Sequence, residues 1–161
     1  MKDASPNPKR TTLGQLSETA LPCLEETTAI RVRFSEVDAL GFVWHGHYAN
    51  YFEEARRAFG RQYGIDYATF MDHAVAVPVV QLHIDFFAPV RMSDLLTVTA
   101  RLRKSESAKL TFAYELRRQA EPALLAAGST VQVFTTFSGE LLLTWPPFML
   151  ERLKAWEPLW H

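Results

Sequence analysis

A carboxylate, two glycines and a histidine stand together just before the strongest helical pattern of the sequence. These residues are Asp38, Gly41, His45 and Gly46. The free backbone N–H groups of a first helical turn, with the positive end of the helix dipole, can bind an oxygen that gains negative charge. Asp38 is close enough in sequence to fold back beside that oxygen and to act as a nucleophile or a general base. The segment therefore suits hydrolysis of an activated acyl group.

Each of these residues also has an ordinary structural explanation. An aspartate before a helix is most often a cap or turn residue. Asp38 with His45 and His47 would offer metal ligands, but residues two apart at the start of a helix diverge in direction, and no third histidine stands close in the sequence. The side chain of His45 either orients a substrate or satisfies a partly buried turn. We expect no metal and no other cofactor.

A long helix must position this segment, because the apolar residues that follow it recur at intervals of three and four. The stripe consists of Tyr48, Tyr51, Phe52, Ala55, Phe59 and Tyr63. Gly64 is a plausible C-terminal stop. So many aromatic rings on one face predict a central helix with most of the stripe buried.

Alternation of apolar and polar residues predicts strands on both sides of this helix. One strand begins near Thr28 and carries Ile30, Val32 and Phe34 on its buried face. Further strands are predicted over residues 80–86, 96–102, 110–116, 131–133 and 141–143, with a short helix over 148–156. The expected fold is α+β, with an antiparallel sheet that wraps the helix. Such a sheet leaves an edge that dimerisation commonly covers.

Composition limits the classes of function. The chain has 161 residues, 48% of them apolar, and a net charge of -1 from 17 basic and 18 acidic side chains. This describes one soluble domain without the field that nucleic acid or a membrane surface would require. Residues 1–25 are expected to be a loosely ordered leader without a signal pattern, and residues 26–161 one domain. The single cysteine, Cys23, favours a reducing compartment, and we expect a cytoplasmic protein.

The segment around Asp38 closely resembles the hotdog-fold thioesterases of the 4-hydroxybenzoyl-CoA thioesterase family. Those proteins typically show D-x-x-G-x-V, an aromatic residue, a His or Tyr and a helical Tyr, with an F-E-x-A-R-like continuation. The matching positions are Asp38, Gly41, Val43, Trp44, His45, Tyr48, Phe52, Glu53, Ala55 and Arg56. The resemblance extends more weakly from about residue 28 to about residue 150, through Phe86, Pro89 and Asp94.

The resemblance implies a hotdog fold and a homodimer or homotetramer, whose interface forms active sites for acyl-CoA or acyl-carrier-protein thioesters. It implies that Asp38 is the catalytic carboxylate and that the backbone N–H of His45, next to Gly46, polarises the thioester carbonyl. His47 departs from the family, in which asparagine is frequent. Glu53 is a second candidate, because another branch of these enzymes uses a helical glutamate. An ion pair with Arg57 or support of the loop explains Glu53 equally well, and we favour a structural role.

Candidate substrate-binding residues lie in two places. Trp44 and Tyr48 flank the first helical turn, and Arg101, Arg103 and Lys104 form the best local basic cluster for the phosphates of coenzyme A. A charged strand exit is, however, commonly just solvated.

The leading hypothesis is an acyl thioester hydrolase. The alternatives are a non-catalytic acyl-CoA binding or sensing module on the same fold, and a hotdog hydratase or dehydratase. The presence of Asp38 disfavours the binding module. Acyl length, aromatic character and the identity of the thiol stay open at this level.

Overall fold

The computed structural model describes residues 22–161, which form one antiparallel sheet and three α-helices. The predicted leader lies almost wholly outside these residues. In chain order the elements are β1 (Cys23–Arg31), α1 (Tyr48–Tyr63), α2 (Tyr67–Asp72), β2 (Val75–Ala76), β3 (Val79–Phe86), β4 (Leu95–Arg103), β5 (Lys109–Arg118), β6 (Leu124–Thr136), β7 (Leu141–Leu142) and α3 (Pro147–Trp156). Short 3-10 turns cover Phe34–Glu36, His45–His47 and Glu157–Leu159.

The sheet runs in the order β1, β4, β5, β6, and β3 pairs with the far side of β6. Every pairing is antiparallel, with Cys23 opposite Arg103 in β1–β4 and Phe86 opposite Ala126 in β3–β6. The two-residue strands β2 and β7 pair with the end of β6. Among residues 22–161, β3 pairs with no strand but β6, so it is an edge of the sheet.

The aromatic stripe of α1 is buried against the sheet, as the periodicity predicted. The Phe52 ring stacks on Tyr114 at a centroid distance of 4.6 Å, and Phe59 meets Phe112 edge-on at 5.1 Å. The helix ends at Gly64, whose φ of 71° is the left-handed conformation that glycine adopts without strain. The α+β plan with a central helix is therefore confirmed.

The structure corrects several predicted element bounds. β1 begins at Cys23, earlier than expected, and it ends before Val32; Phe34 lies in a 3-10 turn with 82% of its surface exposed. The short helix α2 was not predicted, because its six residues are too few for a clear period; Asp66 caps it by accepting the Thr69 N–H at 2.9 Å.

β6 is much longer than the strand predicted over 131–133. The prediction was too short because small residues interrupt the apolar alternation in the first half of β6. Gly128 is the clearest case: a Cβ there would lie 2.4 Å from the Phe52 ring and 2.5 Å from the His83 carbonyl oxygen. The glycine that weakens the strand pattern is what lets α1 approach the sheet. None of the helices within residues 22–161 has the length and apolar content needed to cross a bilayer.

Candidate functional site

Asp38 sits in a tight turn of the segment over residues 37–47, here called the Asp38 loop. Its Oδ1 accepts the backbone N–H groups of Leu40 at 2.8 Å and Phe42 at 3.2 Å. Gly41, with a φ of 79°, allows the chain to reverse. The residue is exposed, and its Oδ2 has no hydrogen-bond partner among the described residues. One carboxylate oxygen therefore holds the turn, and the other is available for chemistry.

Two backbone amides at the start of the helical segment also lack an acceptor in the part of the chain that the structure describes. The 3-10 turn His45–His47 leads directly into α1; within it the His47 N–H donates to the Trp44 carbonyl oxygen at 3.0 Å. The N–H groups of His45 and Gly46 donate to no acceptor within residues 22–161. Such amides, at the positive end of a 16-residue helix, can bind an oxygen that becomes negatively charged.

Trp44 packs directly over Gly46. A Cβ on Gly46 would lie 2.0 Å from the indole ring, so any other residue at this position requires the indole to move. The indole lies 4.8 Å from the His45 ring and 5.6 Å from the His47 ring, and 53% of its surface is exposed. Trp44 thus forms a wall beside the free amides.

The two histidines of the loop face different surroundings. His45 is exposed, whereas His47 Nδ1 lies 3.3 Å from the side-chain amide of Asn50. Within residues 22–161, no group of three or more His, Cys, Asp or Glu side chains is placed to hold a metal ion. A substrate-orienting role for the His45 side chain stays a prediction.

Tyr48 is buried in the protomer, where it joins α1 to β3. Its ring meets Phe86 edge-on at 4.8 Å, and burial raises the pKa of its hydroxyl. A contact between Tyr48 and substrate stays a prediction.

Glu36, which the sequence did not single out, ties the Asp38 loop to the helix. Its Oε2 accepts the Tyr51 hydroxyl at 2.8 Å and the Arg33 N–H at 2.8 Å. Its backbone carbonyl accepts the Trp44 N–H at 3.0 Å. Burial, followed by the hydrogen bond to Glu36, raises the pKa of Tyr51, so the phenol stays a donor at neutral pH. The sequence signal that could have indicated Glu36 is Tyr51 itself, because a buried tyrosine usually needs a hydrogen-bond partner for its hydroxyl.

A second anchor comes from the turn before β4. The Val43 N–H donates to the Val90 carbonyl oxygen at 2.8 Å, and the Arg91 guanidinium lies 4.9 Å from the centre of the Phe42 ring. Arg91 is exposed and has no ion-pair partner among residues 22–161. This cation beside the loop was missed because a single arginine in a turn carries no sequence signal.

Glu53 is occupied by its own chain. Its two carboxylate oxygens accept the Arg56 guanidinium and the Tyr67 hydroxyl. The expected pair with Arg57 is wrong, because Arg57 bonds Glu54 at 3.0 Å. These contacts favour a structural role for Glu53, which stays a prediction.

The basic cluster lies away from the Asp38 loop of the same protomer. Arg103 pairs with Cys23 at the start of β1, whereas the loop follows the other end of β1, about 25 Å away along the strand. Arg101 bonds Glu25 at 2.9 Å and Glu115 at 3.3 Å, and Lys104 bonds Glu157 at 2.7 Å. One protomer does not bring Arg101, Arg103 and Lys104 together with Asp38.

A cavity of about 800 Å³ opens beside the second half of α1, between α2 and the end of β6. Arg56 and Tyr67 line it, but Asp38, Trp44, His45 and Tyr48 do not. The protomer thus holds a reactive loop and a separate cavity.

Comparison with known proteins gives consistent matches over most of the chain. The model of the thioesterase-like superfamily matches residues 32–153. The acyl-CoA thioester hydrolase YbgC of Escherichia coli is 28% identical over 83 residues, which cover 52% of this chain and 62% of that protein. The aligned region thus spans less than two thirds of this curated relative.

Two solved structures are similar along nearly their full length. A hypothetical protein from Thermus thermophilus has a TM-score of 0.73 and 32% identity, covering 82% of this chain and 97% of the other. The DHNA-CoA thioesterase from Staphylococcus aureus has a TM-score of 0.75 and 22% identity, covering 84% and 92%.

Proposed function

Because this chain belongs to the thioesterase-like superfamily, we propose that it hydrolyses acyl thioesters of coenzyme A or of an acyl-carrier protein. The match covers residues 32–153, which include the Asp38 loop and all of α1. The predicted α+β hotdog fold is confirmed by the structural likenesses.

One observation carries the proposal: a carboxylate oxygen and two amides that have no hydrogen-bond partner within residues 22–161 lie on the same short loop. The oxygen is Oδ2 of Asp38, and the amides are those of His45 and Gly46. Hydrogen bonds through Glu36 and Val43 fix both parts of the loop to the body of the protein. This pairing of an anionic group with preorganised donors supports acyl transfer to water.

The reaction follows from these groups. The thioester carbonyl oxygen accepts the His45 N–H, with Gly46 beside it, which stabilises the charge that develops on that oxygen. Asp38 either attacks the carbonyl carbon and expels the thiolate, leaving a mixed anhydride that water cleaves, or removes a proton from the attacking water. Both routes convert a thioester and one water molecule into a carboxylic acid and a thiol.

We propose further that the active unit is a homodimer or a tetramer of such dimers. β3 is a sheet edge with exposed apolar side chains, among them Val80, Leu82 and Phe86, each about half exposed. A long apolar edge strand of this kind is normally covered by another chain. Pairing two copies through β3 would continue the sheet across the dimer.

The deciding experiment is thiol release from butyryl-, benzoyl- and palmitoyl-CoA by the wild-type protein and by Asp38→Asn. We expect Asp38→Asn to lower kcat/KM by about 10²–10⁴-fold, the usual contribution of a general base. Glu53→Gln tests the alternative carboxylate. We expect a smaller fall in kcat/KM for this variant, in proportion to its loss of folding stability. Full activity in Asp38→Asn with none in Glu53→Gln would refute the assignment.

A non-catalytic acyl-CoA binding module is the second candidate. The hydrogen bonds that the Leu40 and Phe42 amides donate to Asp38 Oδ1 favour it, since they give this side chain a structural task in the turn. Equilibrium dialysis beside the thiol-release assay distinguishes the two candidates. A binding module would retain acyl-CoA in dialysis without releasing thiol.

A further inference from the structure

The cavity beside the second half of α1 is open to solvent and has the volume of a ligand site. Small-molecule sites typically measure about 300–1,000 Å³. At about 800 Å³ this cavity falls in the range of ligand sites. Its occupant must therefore be sought in the chemistry of its walls.

The walls are apolar. Buried side chains from three elements and the neighbouring loop line the interior: Ile65, Phe70, Val75, Leu110 and Phe112. Polar side chains interrupt this lining, among them Arg56, Thr135 and Gln132, and only 5% of the Gln132 surface is exposed. Its Nε2 donates to the Val77 carbonyl oxygen at 2.9 Å, and its Oε1 is buried without a partner among the described residues. A ligand with a long hydrocarbon portion suits such an interior.

The rim combines exposed apolar side chains with cations. Met71 and Phe137 are 69% and 64% exposed. Arg57 and Arg61 lie on the helical side of the same opening, and both are exposed. Arg57 also bonds Glu54 at 3.0 Å, at the surface of the helix. An apolar interior with a cationic rim matches a ligand whose hydrocarbon chain enters the cavity while its anionic portion stays in water.

We propose that this cavity binds the hydrocarbon chain of a long aliphatic acyl thioester, with the phosphates of the thiol carrier near Arg57 and Arg61. The proposal rests on the proposed function and names its substrate class. A single aromatic ring or a short acyl group would leave much of the space unfilled. Each additional buried methylene contributes about fourfold in binding until the cavity is full.

Pairing through β3 supplies the link to the reactive loop. The N-terminal end of β3 follows Val77 and Pro78 of the cavity, and its C-terminal residue Phe86 packs on Tyr48 at the start of α1. In an antiparallel pair about a two-fold axis, the first end of one strand lies beside the last end of the other. The cavity of one protomer would therefore open beside the partner subunit's Asp38.

The test fills the cavity. Ala76, in β2, lines the wall, and Ala76→Phe adds a ring there. Ala29→Phe is the matched control, because Ala29 is exposed on β1 and does not line the cavity. For the wild type and Ala29→Phe we expect KM to fall steadily from butyryl- through octanoyl- to palmitoyl-CoA. Ala76→Phe should remove that trend.

A binding arm separates this inference from the proposed function. Titration with sodium palmitate should give binding to the wild type that Ala76→Phe weakens at least tenfold. Palmitate binding without any thioester hydrolysis would overturn the proposed function and keep the cavity assignment. Asp38-dependent hydrolysis with no chain-length trend, and palmitate binding equal in all variants, would overturn the cavity assignment alone.

A second variant guards against misfolding. Ala68 is an exposed residue of α2 at the rim, so Ala68→Trp narrows the opening without disturbing the buried core. It should weaken palmitate binding in the same direction as Ala76→Phe. Unchanged binding in Ala68→Trp, with a thermal midpoint equal to that of the wild type, would contradict the assignment.

Discussion

Single residues set the geometry of the reactive loop more tightly than its length suggests. Asp38 is fixed by amides of its own turn, while the free amides of His45 and Gly46 are placed by Glu36 and shielded by Trp44. The loop therefore offers preformed positions for a carbonyl group, and small displacements within it should affect turnover more than stability.

Gly46→Ala tests this at the residue scale. The new Cβ would lie 2.0 Å from the Trp44 ring, so the indole must move. We expect kcat/KM to fall by about 10²-fold, the cost of a 1 Å misplacement in a site, together with a shift in tryptophan fluorescence. The double variant Gly46→Ala with Trp44→Ala should recover part of the loss. Equal activity in Gly46→Ala and the wild type would show that the indole position is unimportant.

At the scale of elements, the contact between α1 and β6 determines where the helix lies. Phe52 stacks on Tyr114 and also covers Gly128, so the helix approaches the sheet at a site with no side chain. The same contact explains why a strand with a weak apolar pattern crosses the centre of the fold.

Gly128→Ala should therefore be destabilising. Its Cβ would lie 2.4 Å from the Phe52 ring and 2.5 Å from a backbone carbonyl oxygen that cannot move freely. We expect the free energy of unfolding in urea to fall by about 1–3 kcal/mol, the usual cost of overpacking. Ser129→Ala, one residue along β6, is the control and should change it much less. If Gly128→Ala lowered the free energy of unfolding by less than Ser129→Ala, α1 would be able to move away from β6 without loss of stability, and the prediction would be wrong.

At the scale of the whole molecule, the main feature is the edge strand β3, whose apolar side chains are exposed in a single protomer. Leu82 is 49% exposed in the middle of this edge strand. Leu82→Glu would place a charge there, so we expect light scattering to report a shift from dimer to monomer and hydrolysis to fall with it. Leu143→Glu, at an 82% exposed position outside β3, should leave both unchanged. A wild-type protein that is monomeric at the assay concentration would contradict the two-subunit site.

The tyrosines give the molecule a shared response to alkaline pH. Tyr48, Tyr51, Tyr63, Tyr67 and Tyr114 all have their pKa raised above 10.0, with burial as the main cause. The folded state therefore holds these protons more tightly than the unfolded chain. Stability is fully present below pH 10.0 and falls as the pH rises above it. Phenolate absorbance should appear together with the loss of circular dichroism; complete titration of a still folded protein would contradict this.

Most of the elements could be predicted from the sequence because their signals are local. The aromatic period placed α1, alternation placed β3, β4 and β5, and the motif around Asp38 indicated the reactive loop and the family. Elements whose signal is weak or short were missed: α2, the two-residue strand β2, and the first half of β6 with its small residues.

The amino-acid sequence by itself determined the α+β plan, the central helix and the chemical character of the Asp38 loop, because periodicity and residue type act over a few neighbouring positions. The hotdog fold was implied by the resemblance of the motif around Asp38 to a known family. Only the tertiary structure decided which amides stay free, that Glu53 is occupied by Arg56 and Tyr67, and that Arg101 and Lys104 bond acidic partners far from Asp38. The cavity between α1, α2 and β6 is likewise a feature that only the tertiary structure decided. Its walls come from segments distant in sequence, and packing alone brings such segments together.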